Sequence, residues 1–177
     1  MVQWLLLGFN GGRIMDTSPS EELELRKLMA LGLQQLRSKS DYSITSPESI
    51  KYNCIAWAAE GESCKMNRIW DPDGFYWPKD VERQPYLPFY IQAFESEGFR
   101  VCKDRDGNCE EVERIVLFLG NENCVWHAAR QLSSGKWTSK LGKKWEDIEH
   151  RTPELMNCNE YGEATVYMSR KRPKIGN

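Results

Sequence analysis

Tyr52-Asn53-Cys54-Ile55-Ala56-Trp57-Ala58-Ala59 is an apolar run with a cysteine near its start, and its reading decides the fold. Ahead of it stands Thr45-Ser46-Pro47-Glu48-Ser49, a loop full of helix-start residues. The run stops at Glu60-Gly61, where glycine closes a helix without steric cost. The pattern predicts a short buried helix with Cys54 in its first turn. There a thiol feels the positive end of the helix dipole, and its pKa can fall from about 8.5 into roughly the 3.5–7.5 range, most of all beside an imidazole. That makes a nucleophile. The competing reading is a buried cysteine packing as a small hydrophobe.

Towards the N-terminus, residues 1–40 read as a helical appendage to a domain spanning residues 41–177. Ser18-Pro19-Ser20-Glu21 is a helix start, and Leu25, Leu28, Met29, Leu33 and Leu36 repeat at helical spacing, so the stripe is expected to pack on the core. Arg37-Ser38-Lys39-Ser40-Asp41 reads as a polar linker. Towards the C-terminus, Trp70-Asp71-Pro72-Asp73-Gly74-Phe75-Tyr76-Trp77-Pro78 is an aromatic loop that either walls a groove beside the thiol or packs as a satellite core. Pro85 opens an expected helix with Phe89, Tyr90, Ala93 and Phe94 on its apolar face, closed by Gly98.

The texture then turns to strands. Residues 99–102, 113–119, 125–132, 136–141 and 164–168 are the expected strands, with Asp104–Asn108 as a turn and Ser133-Ser134-Gly135 as a hairpin loop. Thr152–Met156 reads as a last short helix, and the stretch Arg170–Lys174 as a solvated basic tail. Helices first and antiparallel sheet second make an α+β domain. The balance of 24 basic against 26 acidic residues argues against nucleic-acid binding. No stretch reaches membrane-spanning length, and Trp4–Phe9 is too short for a secretory leader, so a cytoplasmic protein with free thiols is expected.

Two histidines are present, His127 and His150. His127 falls on an expected strand, seventy-odd residues after Cys54, and imidazole is the usual base for a thiol because its pKa lies near neutrality. A ring-orienting third group is sought after His127. Ser139, opposite Ala129 across a three-residue hairpin loop, shares the face of His127; Thr138 takes that place if the loop differs by one residue. Asp147 and Glu149 are stronger acceptors but are placed on a loop, and these alternatives stay open. Asn53 either helps bind an oxyanion or is a plain turn residue. Trp57, Tyr76 and Trp77 are the expected substrate-side aromatics. A competing zinc reading uses Cys102, Cys109, Cys124 and His127, although the first gap is longer than common knuckle spacings. His150, beside Glu149, reads as a surface histidine.

From Tyr42 onward the chain resembles a family of small, largely uncharacterised bacterial proteins. The resemblance rests on Tyr52–Ala59, Tyr76-Trp77-Pro78, His127-Ala128-Ala129-Arg130-Gln131-Leu132, Trp137-Thr138-Ser139-Lys140-Leu141-Gly142, Asp147-Ile148-Glu149-His150 and Tyr161-Gly162. Its order of parts is similar to that of papain-like hydrolases of the NlpC type. That likeness implies a papain-like arrangement with Cys54 as nucleophile and His127 as base. The zinc cysteines lie outside the shared motifs. The expectation is a cysteine hydrolase or acyltransferase acting on an amide of a protein or peptide, without cofactor, metal, nucleic-acid or membrane partner. A non-catalytic binding or immunity-type module on the same fold is the alternative.

Overall fold

The computed structural model describes residues 19–61, 68–103, 110–142 and 145–172. The expected turn at Asp104–Asn108, the Trp4–Phe9 stretch and Cys109 lie outside these residues.

Three helices, α1 (Pro19–Ala30), α2 (Cys54–Glu60) and α3 (Leu87–Ser96), accompany seven strands. The strands are β1 (Tyr42–Ile44), β2 (Arg100–Val101), β3 (Val112–Leu119), β4 (Val125–Gln131), β5 (Trp137–Lys140), β6 (Asp147–His150) and β7 (Glu163–Lys171). They form one antiparallel sheet in the order β1-β6-β5-β4-β3-β7-β2. The domain is α+β, with sheet predominant.

Strand alternation sorts the core into two layers. Ile115, Leu117, Ala128 and Met168 face α2 and α3, where Ile55, Ala56, Tyr90 and Phe94 meet them. Val116, Phe118, Ala129, Ile148 and Tyr167 face the other way, onto Leu28, Leu33, Leu36 and Met156. Leu28, Leu33 and Leu36 of the N-terminal segment are therefore built into this second layer. Its helix stops at Gly32 (φ 78°) in a Schellman turn, with Gly32 N–H donating to the Met29 carbonyl and Leu33 N–H to that of Leu28, both at 3.0 Å. Leu33 and Leu36 are fully buried beyond the helix end, whereas Met29, on the expected stripe, is exposed.

Other expectations shift slightly. Pro88, not Pro85, sits in the first turn of α3. Residues 147–150, expected on a loop, form β6, and Thr152–Met156 ends as a 3-10 turn over Pro153–Met156. Arg170 is not a solvated tail residue: with Arg130 and Arg172 it surrounds the buried Glu113 carboxylate, its Nε at 2.6 Å from Oε2. Among the described residues, no helix is long and apolar enough to cross a membrane.

Candidate functional site

Asn53 caps α2. Its Oδ1 accepts from the N–H groups of Ala56 and Trp70, both at 3.1 Å, and its Nδ2 donates to the Trp70 carbonyl at 2.7 Å. Its amide is thus spent on joining the helix start to the aromatic loop, which favours the turn reading over the oxyanion one. The next residue, Cys54, is half-buried and packs with the α2 layer.

The N–H groups of Ala128, Ile55 and Cys54 itself face the Cys54 sulfur. The β4–β5 ladder pairs Arg130 with Thr138 and Gln131 with Trp137, and the pairing stops before Ala128. The Ala128 N–H at that splay turns to the sulfur instead. Burial nonetheless dominates and pushes the thiol up to about 11.

Lys140, Asp147 and Tyr52 share this face. Tyr52 donates to Asp147 Oδ2 at 2.6 Å, and Lys140 and Asp147 are cross-strand partners. The Lys140 ammonium donates to the carbonyls of Gly142 and Trp145 and lies 5.5 Å from the centroid of the Tyr52 ring. Burial lowers its pKa, while the Asp147 carboxylate and the Cys54 thiol act in the opposite sense. Lys140 escaped the sequence reading, which sought bases among histidines and acids. The Trp137–Gly142 motif contained it.

His127 lies on the opposite face. It pairs with Phe118 across the β3–β4 ladder, meets the Phe118 ring edge-on at 5.0 Å, and stacks on Tyr161 at 4.5 Å. The residue is fully buried, and neither ring nitrogen has a hydrogen-bond partner among the described residues. Burial, with a smaller effect of nearby His150, pulls its pKa down to about 3. The expected Cys54–His127 hydrogen bond is therefore not formed in this structure. The period of two along β4 points the ring away from the layer that holds the thiol.

The third-group candidates also part company. Ser139 shares the face of His127, as the hairpin register required, but its hydroxyl is 2.9 Å from His150 Nε2. Asp147 sits on the thiol face and serves Tyr52. Neither orients the His127 ring. His150 is no surface histidine: it is buried, its Nδ1 lies 2.8 Å from the Thr152 carbonyl, and burial lowers its pKa to about 4.

Of the expected substrate-side aromatics, Trp57 and Trp77 are core residues, and Trp77 Nε1 donates to the Glu82 carbonyl. Tyr76 alone is exposed, under the Arg68 guanidinium at 4.4 Å. The aromatic loop is thus part satellite core and part surface. No metal-binding group of three His, Cys, Asp or Glu side chains occurs among the described residues. Cys102 and Cys124 flank different strand ends, on β2 and β4.

No curated protein and no solved structure matches the chain. Residues 43–169, from the β1 strand through most of β7, match one family model, and the chain belongs to that family, the domain of unknown function DUF7689.

Proposed function

We propose that the domain is a papain-like cysteine hydrolase or acyltransferase acting on amide bonds, and that the described conformation is its resting form. One observation carries the reading: the Ala128 N–H, the donor directly after His127, reaches the Cys54 sulfur. An amide nitrogen lies about 2.4 Å from the preceding Cα. The amide that follows the His127 Cα therefore borders the sulfur, and a local rearrangement of β4 at the splay, beyond a rotamer change, brings the ring to the thiol, because its Cα–Cβ bond leaves the sheet on the other face.

The imidazole itself supplies the second support. A buried ring with both nitrogens unbonded costs about 1–3 kcal/mol per unsatisfied group, a cost that structure alone does not justify. In the active form the ring swings from Tyr161 to the splay between β4 and β5 and takes the thiol proton. The thiolate attacks the amide carbonyl, and the Cys54 N–H is the nearest oxyanion donor. The imidazolium then protonates the leaving amine. Water or a second amine cleaves the thioester, giving hydrolysis or transfer. The free Cys54, Cys102, Cys124 and Cys158 suit a reducing compartment.

The second reading, a non-catalytic module, is favoured by the thiol raised to about 11. Iodoacetamide alkylation of Cys54, followed by peptide mass spectrometry across pH, separates the two. If the imidazole visits the sulfur, His127→Ala slows alkylation near pH 7 by about tenfold or more, and Tyr161→Ala speeds it. Equal rates in wild type and His127→Ala would leave the binding module as the better account.

A further inference from the structure

A cavity of about 650 Å³ opens on the described surface, lined by none of Cys54, His127 or Lys140. We propose that it is a carbohydrate site taking one or two rings of an uncharged saccharide. Trp126 is the platform. The β3–β4 register shifts between Phe118 and Leu119, which pairs Leu119 with Val125, leaves Trp126 outside the ladder, and aims its ring outward, 40% exposed. Bulges are a usual means of re-aiming a side chain at a functional site.

The ring is also seated with care. A Cβ on Gly120 would lie 2.1 Å from Trp126 ring carbons, so the indole rests flat on a backbone that only glycine leaves bare. Gly162 (φ 80°) closes against the Leu119 carbonyl, 2.3 Å from where its Cβ would be, and so holds the loop under the platform. Glu122 (φ 56°) and Asn123 (φ 59°) take left-handed backbone in the same loop, where non-glycine strain marks a constrained geometry.

The lining chemistry selects the ligand class. Asn121, Asn159 and Gln35 line the cavity, and none makes a side-chain hydrogen bond to another described residue. Each amide offers donors and acceptors together, which matches vicinal hydroxyl groups. Asn157 gives its Oδ1 to the Ala164 N–H at 2.9 Å. Among the described residues, no lysine or arginine lines the cavity and Glu163 is the one carboxylate, so phosphorylated ligands and nucleic acid find no counter-charge there. A single indole is no aromatic cage for a quaternary ammonium. A pyranose offers what remains: an apolar C–H face for the indole and a hydroxyl edge for the amides.

The site is independent of the hydrolase reading, and its test does not use Cys54 chemistry. Cellotriose, maltotriose, mannotriose and chitotriose are titrated to about 10 mM, with saturation-transfer NMR and tryptophan fluorescence as readouts. At least one is expected to bind saturably, and Trp126→Ala should weaken it about tenfold or more while Cys54→Ala leaves it unchanged. Asn159→Ala, a surface change that spares the fold, should weaken it as well. The proposal falls if none of the four binds, if Trp126→Ala and Asn159→Ala both bind like wild type, or if glucose 6-phosphate binds more tightly than glucose.

Discussion

Strands β4, β5 and β6 carry two buried polar clusters, one on each face of the same sheet. The α2 face gathers ionisable groups of opposite sign: Lys140 across from Asp147, with Tyr52 on the carboxylate and the Cys54 sulfur alongside. The other face gathers His127, Ser139 and His150, with both imidazoles held neutral by burial. Alternation alone does the sorting, since Lys140 and Ser139 are neighbours in sequence. The difference teaches that the charged groups are held by hydrogen bonds to their neighbours, while the neutral cluster stores a ring with both nitrogens unsatisfied.

The largest way to break that contrast is Lys140→Ala. It leaves the Gly142 and Trp145 carbonyls without their ammonium and takes a nearby positive charge from the buried Asp147 carboxylate. Removing one partner from such a site costs about 3–5 kcal/mol. Urea unfolding at pH 7 should show it, and a loss below about 1 kcal/mol would mean the charged cluster is not coupled.

Acid sharpens the same comparison from the other face. The folded pKa values of His127 and His150, about 3 and about 4, lie below the ordinary 6.5. Between those values the unfolded chain binds more protons than the folded one. The associated stability is complete above about pH 6.5 and is lost as pH falls through that value towards the native pKa. The slope is about 1.4 kcal/mol per pH unit for each histidine. His127→Phe keeps a flat ring between Phe118 and Tyr161, loses no hydrogen bond and removes two unsatisfied buried nitrogens, so it should be stabilising at pH 7, by about 1 kcal/mol or more. Unfolding midpoints at pH 7 and pH 5 should show roughly half the acid sensitivity gone; an unchanged slope would place the buried proton balance elsewhere.

How much of this was legible in the sequence follows from what each signal encodes. The α2 run, the β3 and β4 strands and the Ser133-Ser134-Gly135 hairpin were readable because periodicity and turn chemistry are local; Gly135 takes φ 85° as the loop needs. The register that sets Ser139 on the face of His127 was readable for the same reason. The short strands β1 and β6 were not: three- and four-residue segments carry little periodicity, and β1 exists only through its pairing with β6 across a hundred residues. Nor could sequence show which face of β4 meets α2. That depends on tertiary packing, and it is what parts Cys54 from the His127 ring. Tyr161, stacked on that ring, lay in a recognised motif but carried no chemical signal of its own.

Ser139→Ala probes the neutral cluster more gently. It removes the hydroxyl 2.9 Å from His150 Nε2 and leaves one buried ring nitrogen unpaired, a loss of about 1–2 kcal/mol. Thermal melts should register it, and the loss should be about the same at pH 7 and pH 5, because His150 is neutral in the fold at both and its protonation in the unfolded chain is common to wild type and variant.

The smallest effect comes from a lysine–carboxylate pair on the same two strands as the charged cluster. Lys136 Nζ lies 3.1 Å from Glu149 Oε2 beside the β5–β6 ladder, with the lysine side chain 57% and the glutamate 26% exposed. Lys140 faces Asp147 further along that ladder, fully enclosed. Water screens the outer pair and leaves its long side chains mobile, so Lys136→Ala should cost about 0–1 kcal/mol and fade with added salt. The inner lysine should keep its effect in salt, because its ammonium is buried on the Gly142 and Trp145 carbonyls. Chemical denaturation of both variants at low and high ionic strength tests the point. If the two lysines respond alike, burial does not set the strength of these pairs, and the contrast between the two faces of the sheet loses its physical basis.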